Sequence, residues 1–273
     1  MNSLELGLIG NGSLAALLDG NGDIVWSCVP RFDGDPTFCA LLEPGHAGHG
    51  RFAIELDNHV RSSQAYVDNT AVLVTRLDDS NGGIVELTDF APRFRQYGRI
   101  YHPLTVIRRI RPIAGAPRIR IHLRPLSAYG ADIPERTFGS NHIRYKLATL
   151  TLRLTSDVPV PYVLDEQSFV LEREHWMILG PDESLTQPIG TFGRETLIQT
   201  IDYWRNWVRY LALPVEWQEA VIRAAITLKL CQHEGTGAII AAPTTSIPES
   251  SSSGRNWDYR YCWIRDAYYV VQA

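Results

Sequence analysis

Lysine is nearly missing from this chain: of 26 basic residues only Lys146 and Lys229 are lysines, and the rest are arginines. Cysteine is sparse too. Cys28, Cys39, Cys231 and Cys262 form no C-x-x-C pair and show no metal-ligand spacing. That excludes a disulfide scaffold and a zinc ribbon, and points to reduced, mostly buried thiols in a cytoplasmic protein. No apolar run approaches the roughly 18 residues that a membrane-spanning helix requires. Met1-Asn2-Ser3-Leu4-Glu5 lacks the basic start of a secretory signal. The histidines are scattered, with His46 and His49 in one glycine-rich turn and the others single, so no protein-bound metal is expected.

What is present fits a soluble globular protein with a substantial core: 273 residues, 45% hydrophobic, 21% charged, net charge −4. Nine arginines and no acid fall between Arg93 and Arg124. Arg118, Arg120, His122 and Arg124 alternate with Ile119, Ile121 and Leu123, the pattern of a strand with one buried and one solvated face. An acidic chain without an aromatic platform among those arginines is a poor nucleic-acid binder, so a solvated or interdomain strand face is expected.

Gly10-x-Gly12-x-x-Ala15, with Asp33 beyond it, imitates a dinucleotide fingerprint. That fingerprint needs a full helix after the glycines. Here Asp19-Gly20-Asn21-Gly22 signals a hairpin about six residues on, so Ser13–Leu18 and Ile24–Val29 are expected to pair as strands. From about Arg51 to Val170 short β-rich runs alternate with turns: Ala71–Leu77, Ile84–Phe90, Thr105–Arg111, Arg118–Arg124, Ile143–Leu154 and Phe169–Glu172. They predict a large antiparallel β-sandwich, with no helix-period segment before about residue 194.

The period then changes. Leu197, Ile198, Ile201, Trp204, Val208 and Leu211 predict an amphipathic helix over Arg194–Tyr210. A second helix is expected from about Val215 to Gln232, with Trp217, Val221, Ala224, Ala225, Leu228 and Cys231 inward. Gly180-Pro181 and Pro188-Ile189-Gly190 suggest a linker between two domains, residues 1–185 and 186–273. A further helix starting at Arg265-Asp266 runs to Ala273 without a capping glycine or proline, and the natural protein is expected to continue past it.

The densest chemistry lies in Arg255-Asn256-Trp257-Asp258-Tyr259-Arg260-Tyr261-Cys262-Trp263-Ile264-Arg265-Asp266, behind a serine-rich loop. Rings stack on the apolar faces of sugars, and Arg/Asp pairs hydrogen-bond hydroxyls, so the stretch suits a carbohydrate-binding wall. A buried aromatic hairpin with its charges paired fits the same composition.

Ala241-Ala242-Pro243-Thr244-Thr245-Ser246-Ile247-Pro248-Glu249 and the stretch after it resemble the opening of the catalytic barrel in glycoside hydrolase family 15. Leu8-Ile9-Gly10-Asn11-Gly12-Ser13-Leu14, Gly22-Asp23-Ile24-Val25-Trp26 and Pro30-Arg31-Phe32-Asp33 are similar to the start of that family's trehalase-like N-terminal domain. The resemblance implies a mainly β architecture: a β-sandwich, a linker and the first helices of an (α/α)6 barrel. It implies inverting release of glucose from α-glucosides such as trehalose, malto- or isomalto-oligosaccharides. Arg265 and Asp266 match the Arg-Asp pair that holds the non-reducing glucose, with Trp263, Tyr259 and Trp257 shaping the pocket floor. The catalytic acid and base, two glutamates in the family, are expected downstream of Ala273, leaving this chain inactive alone. Its partners are then an α-glucoside and the remainder of the barrel, with no membrane and no nucleic acid. No resident cofactor is implied, and dependence on phosphate or magnesium stays open.

Several residues keep two readings. Asp258 and Arg260 suit a structural ion pair as well as a sugar contact. Arg31-Phe32-Asp33-Gly34-Asp35 forms either a loop leaning toward the barrel mouth or a turn held by an Arg-Asp contact. Glu249 is a tempting acid, yet a serine-flanked loop glutamate is usually just solvated. The rival function from another class is a non-catalytic sandwich module that packs on or regulates a carbohydrate-active domain.

Overall fold

A computed structural model describes residues 5–42, 48–245, 250 and 253–273 of the chain. His46, Glu249, Ser251 and Ser252, which figure in the sequence expectations, lie outside the described residues.

The first strands are β1 (Gly7–Gly10), β2 (Ala15–Leu18), β3 (Ile24–Val29), β4 (Asp35–Phe38), β5 (Arg51–Leu56) and β6 (His59–Tyr66). Next come β7 (Leu73–Asp79), β8 (Ile84–Phe90), β9 (Phe94–Gln96), β10 (Arg99–Tyr101), β11 (Val106–Ala114) and β12 (Arg118–Arg124). Then β13 (Glu135–Phe138), β14 (His142–Lys146), β15 (Thr151–Ser156), β16 (Phe169–Val170) and β17 (His175–Pro181) complete the series. One sheet runs β1-β2-β3-β5-β12-β16, with β4 beside β3; the other runs β13-β14-β15-β17-β11-β8-β7-β6. Both are antiparallel. This is a β-sandwich. Phe52, Ile54, Ile119, Ile121 and Leu123 of the first sheet meet Leu77, Val85, Leu87, Ile110 and Leu179 of the second in one apolar core.

The glycine pattern near the start is a hairpin and not a nucleotide loop. β1 pairs directly with β2, and β2 with β3 through the expected turn. In that turn the Asp19 carboxylate accepts from the amides of Asn21 and Asp23 at 2.9 and 3.0 Å, and Gly22 takes φ +80.

The arginine-rich run is not one solvated face. Arg108 is fully buried, and its Nε donates to Asp89 Oδ1 at 2.6 Å. Its other two nitrogens donate across the core to the carbonyls of Phe52, at 2.9 Å, and Gly22. One guanidinium thus ties the second sheet to the first. Burial pushes the Asp89 carboxyl up, against the pull of the Arg108 charge. Arg93 is also buried: it donates to the Asn11 carbonyl and pairs with Glu234 at 2.8 Å. On β12 the alternation holds, but His122 is buried, bridging Glu55 and Glu166 at 2.7 and 2.8 Å.

Among the described residues the α-helices are α1 (Val160–Leu164), α2 (Ile189–Val208), α3 (Gln218–Leu230) and α4 (Ile264–Gln272). The sequence expectation of no helix before about residue 194 missed α1, whose segment is broken by prolines. α2 starts five residues early, directly behind Pro188, and Gly193 lets it approach β17 where a Cβ would overlap the Trp176 ring. Leu197, Trp204 and Val208 are buried as expected, whereas Ile198 faces solvent.

α3 is phased differently from the expectation, although Cys231 at its end is buried as expected. Ile226 and Leu230 are buried and Ile222 packs beside them, while Trp217 is 79% exposed. A helix with apolar residues on two sides gives no single stripe to read, and the sandwich selects one of them. Ile226, Leu230, Trp204 and Val208 cover Leu8, Leu17, Val25 and Trp26 on the outer face of the first sheet. Among the described residues no helix is long and apolar enough to cross a membrane.

Candidate functional site

After α3 the chain turns tightly: the Gly237 amide donates to the His233 carbonyl at 2.8 Å, and Gly237 sits at φ +72. It then runs back beside the aromatic stretch. The Ala241 and Ala242 amides donate to the carbonyls of Tyr261 and Tyr259 at 3.1 and 2.8 Å, and Thr245 bridges Asp258. This irregular ribbon rests on the sandwich, because Trp26 of β3 donates its indole N–H to the Pro243 carbonyl at 2.7 Å. The N-terminal and C-terminal sequence blocks therefore meet.

Arg260 organises the contact. It is 4% exposed. Nε and Nη2 grip Asp258 at 3.0 and 2.8 Å, while Nη1 donates to the Gly34 carbonyl at 2.8 Å and touches Cys28 Sγ at 3.5 Å. The hydrogen bond from Arg260 holds the Asp258 carboxyl below its usual range, and raises Arg260 in turn. The structural ion pair is the arrangement observed. The Asp258 backbone carbonyl also accepts from the Trp263 indole at 3.0 Å.

Trp263 meets Trp257 and Tyr259 edge to face, with ring centroids 6.2 and 5.6 Å apart. The structure thus brings together the three predicted rings; Trp257 is about half exposed, and Tyr259 and Trp263 are partly so. Arg265 and Asp266 sit on the first turn of α4 and contact each other at 3.4 Å, with Arg265 the more exposed. A carboxylate there also complements the helix N-terminus.

The segment 31–35 is a turn held by an Arg31–Asp33 ion pair, with the Gly34 amide bonded to the Arg31 carbonyl at 2.9 Å. It abuts Arg260 through Gly34, so it lies against the aromatic stretch as well. The hydrogen bond from Arg31 holds the Asp33 carboxyl down. Asp35 accepts two backbone amides, from Ala128 and Tyr129, at 2.6 and 2.7 Å. Asp33, Asp35 and Asp258 are thus all engaged as hydrogen-bond acceptors, which suits binding and positioning better than proton donation. Tyr129, whose hydroxyl lies 3.4 Å from Arg260 Nη2, was missed from sequence. Only Gly130 beside it hinted at a special loop. Among the described residues no group of three or more His, Cys, Asp or Glu is placed to hold a metal ion.

Comparison with known families finds matches for both sequence blocks. A model of the trehalase-like N-terminal domain matches residues 3–137, and a model of glycosyl hydrolases family 15 matches residues 216–273. In that order along the sequence, the chain is similar to the trehalase-like N-terminal domain and to glycosyl hydrolases family 15. The second match opens two residues before α3 and takes in the ring cluster and α4. The chain is 32% identical to a trehalase of Thermoplasma volcanium over 98% of its own length and 43% of that protein. It is 31% identical to a trehalase of Thermoplasma acidophilum, over 93% of the chain and 44% of that protein. A trehalase of Mycobacterium tuberculosis is 26% identical, over 93% and 41%. The chain thus spans less than half the length of these relatives.

Proposed function

We propose that the chain forms the N-terminal part of an inverting α-glucosidase that acts on trehalose. The observation that carries this reading is the partly exposed Trp257–Tyr259–Trp263 cluster, pinned to the sandwich by Asp258 and Arg260 within the family 15 match. The rings offer apolar planes to a glucose ring, and Arg265 and Asp266 supply hydrogen bonds to its hydroxyls. Trehalose is favoured over malto- and isomalto-oligosaccharides because the relatives carry the name trehalase.

Residues 1–185 form the sandwich domain in this reading, and 186–273 the linker and opening helices of an (α/α)6 barrel. The exposed Trp217, Ile264, Tyr268, Tyr269 and Val271 on α4 and the start of α3 suit burial against further barrel helices. The acid and base belong to sequence past Ala273, roughly 6.5–9.5 Å apart as inversion requires. A cytoplasmic setting is supported by Cys28, Cys231 and Cys262, none of them in a disulfide.

The test is proton NMR of trehalose, maltose and isomaltose incubated with this chain and with the longer product of the same gene. β-Glucose appearing at once with the longer product, and nothing released by this chain, supports the proposal. Release of the α-anomer alone removes the inverting mechanism. Activity in this chain misplaces the acid and base. Failure of both proteins on all three sugars favours the non-catalytic module.

A further inference from the structure

The loop joining β12 to β13 is built against its own backbone preferences. Ala128 and Tyr129 take φ +52 and +56, and Gly130 takes φ +90, so three consecutive residues are left-handed and two of them carry side chains. Side chains disfavour that region strongly. The loop is held by Asp35 at the start of β4, whose two carboxylate oxygens accept the Ala128 and Tyr129 amides at 2.6 and 2.7 Å. Ser127 and Asp132 close its base as a bridge.

The strained conformation does not bury anything large. Tyr129 is 61% exposed, so its ring adds little to the sandwich core. What the conformation achieves is placement. The Tyr129 hydroxyl lies 3.4 Å from Arg260 Nη2, and its ring centroid is 5.8 Å from the guanidinium carbon. The same guanidinium grips Asp258, whose carbonyl orients the Trp263 indole at 3.0 Å. A continuous set of contacts thus runs from an exposed sandwich tyrosine to the ring cluster. Strain that persists without a packing return is found at ligand-binding positions, and here it presents an exposed aromatic ring beside the Arg260 guanidinium that anchors the ring cluster.

We infer that Tyr129 is a sugar-contacting residue contributed by the sandwich, adding a further aromatic surface to the pocket of Trp257, Tyr259 and Trp263. The inference rests on the function proposed above. The sandwich then forms part of the substrate site rather than only supporting it, and Tyr129 helps set which α-glucoside binds.

The longer gene product is assayed on trehalose and maltose as wild type, Tyr129→Asn and Tyr129→Phe, with thermal melting of each. Asn tolerates the left-handed backbone, so Tyr129→Asn is expected to melt no lower than wild type. It should raise KM about tenfold, with kcat changed less than about twofold, because a contact made equally to substrate and transition state is lost. Tyr129→Phe keeps the ring and should stay within about twofold of wild type. A KM unchanged in Tyr129→Asn, in an enzyme that cleaves its substrate, overturns the inference and leaves the proposed function standing. Equal damage by Phe and Asn also overturns it, since Tyr129 would then act only through Arg260. A wild-type enzyme inactive on every α-glucoside refutes the proposed function itself. Independently of any variant, trehalose should slow nitration of Tyr129, read by mass spectrometry, and leave Tyr97, 96% exposed on the β9–β10 hairpin, unprotected. No protection of Tyr129 overturns the inference.

Discussion

Replacing Arg260 by methionine keeps most of the side-chain volume and removes its hydrogen bonds. Lost are the two-point grip on Asp258 at 3.0 and 2.8 Å and the bond to the Gly34 carbonyl at 2.8 Å. Losing a charged partner inside a closed site costs about 3–5 kcal/mol when the remaining charge is fully buried. The Asp258 side chain is 29% exposed, so water recovers part of that, and about 2–3 kcal/mol is expected. The loss falls on the docking of the ribbon to the sandwich, not on the sandwich core. Local opening is therefore the quantity to measure, by amide hydrogen exchange at Ala241 and Ala242, whose N–H groups bond the Tyr261 and Tyr259 carbonyls. Exchange there should accelerate about 30- to 150-fold, while amides of β8 and β11 keep their wild-type rates. Asp258→Asn should accelerate the same two amides, by less. If Arg260→Met changes their exchange by only a few-fold, packing and the Trp26–Pro243 bond hold the ribbon, and Arg260 does not organise the site.

Three further outcomes follow from the fold. Arg108→Met strands the buried Asp89 carboxylate and should cost about 3–5 kcal/mol in urea unfolding; Arg108→Met with Asp89→Leu should recover at least about 2 kcal/mol of that. A double variant no better than the additive sum refutes the ion pair as the source of the cost. Burial first, then the Asp19 charge, pushes the Asp23 carboxyl up to about 7, from 3.8. The fold holds that proton longer than the unfolded chain, so the contribution is fully present below about pH 4 and is lost as pH rises through about 7. Relative to Asp23→Asn, wild type should lose about 2–3 kcal/mol between pH 5 and 8, and a flat difference between their unfolding curves over that range refutes the shift. Gly193→Ala should lower the melting temperature although alanine favours helix by about 1 kcal/mol, because its Cβ meets the Trp176 ring. Gly190→Ala on the same helix meets only the Arg194 guanidinium at 3.3 Å and should not.

Local signals carried much of the fold. The strands over Ile84–Phe90 and Arg118–Arg124 occur with those bounds, because alternation and flanking turns suffice when one strand face is apolar. The Asp19–Gly22 hairpin is equally local. The Ile143–Leu154 run splits into β14 and β15, where Leu147 and Leu150 close a hairpin by a 2.9 Å bond that no glycine or proline announces. Arg93 and Arg108 were misjudged because their carboxylate partners, Glu234 and Asp89, lie 141 and 19 residues away.

By itself the sequence determined the β-to-α order, the Asp19–Gly22 hairpin, the aromatic stretch at 255–266 and the family resemblance. Each rests on residues adjacent in the chain, whose periodicity or motif is complete without knowing the fold. Only the tertiary structure decided which stripe of α3 is buried, which arginines leave water, and that Arg260 joins Asp258 to Gly34 across 226 residues. It alone placed Tyr129 beside that guanidinium. Those outcomes depend on which sheet faces meet and on the low-dielectric environment they create, where a charge must find its partner through space.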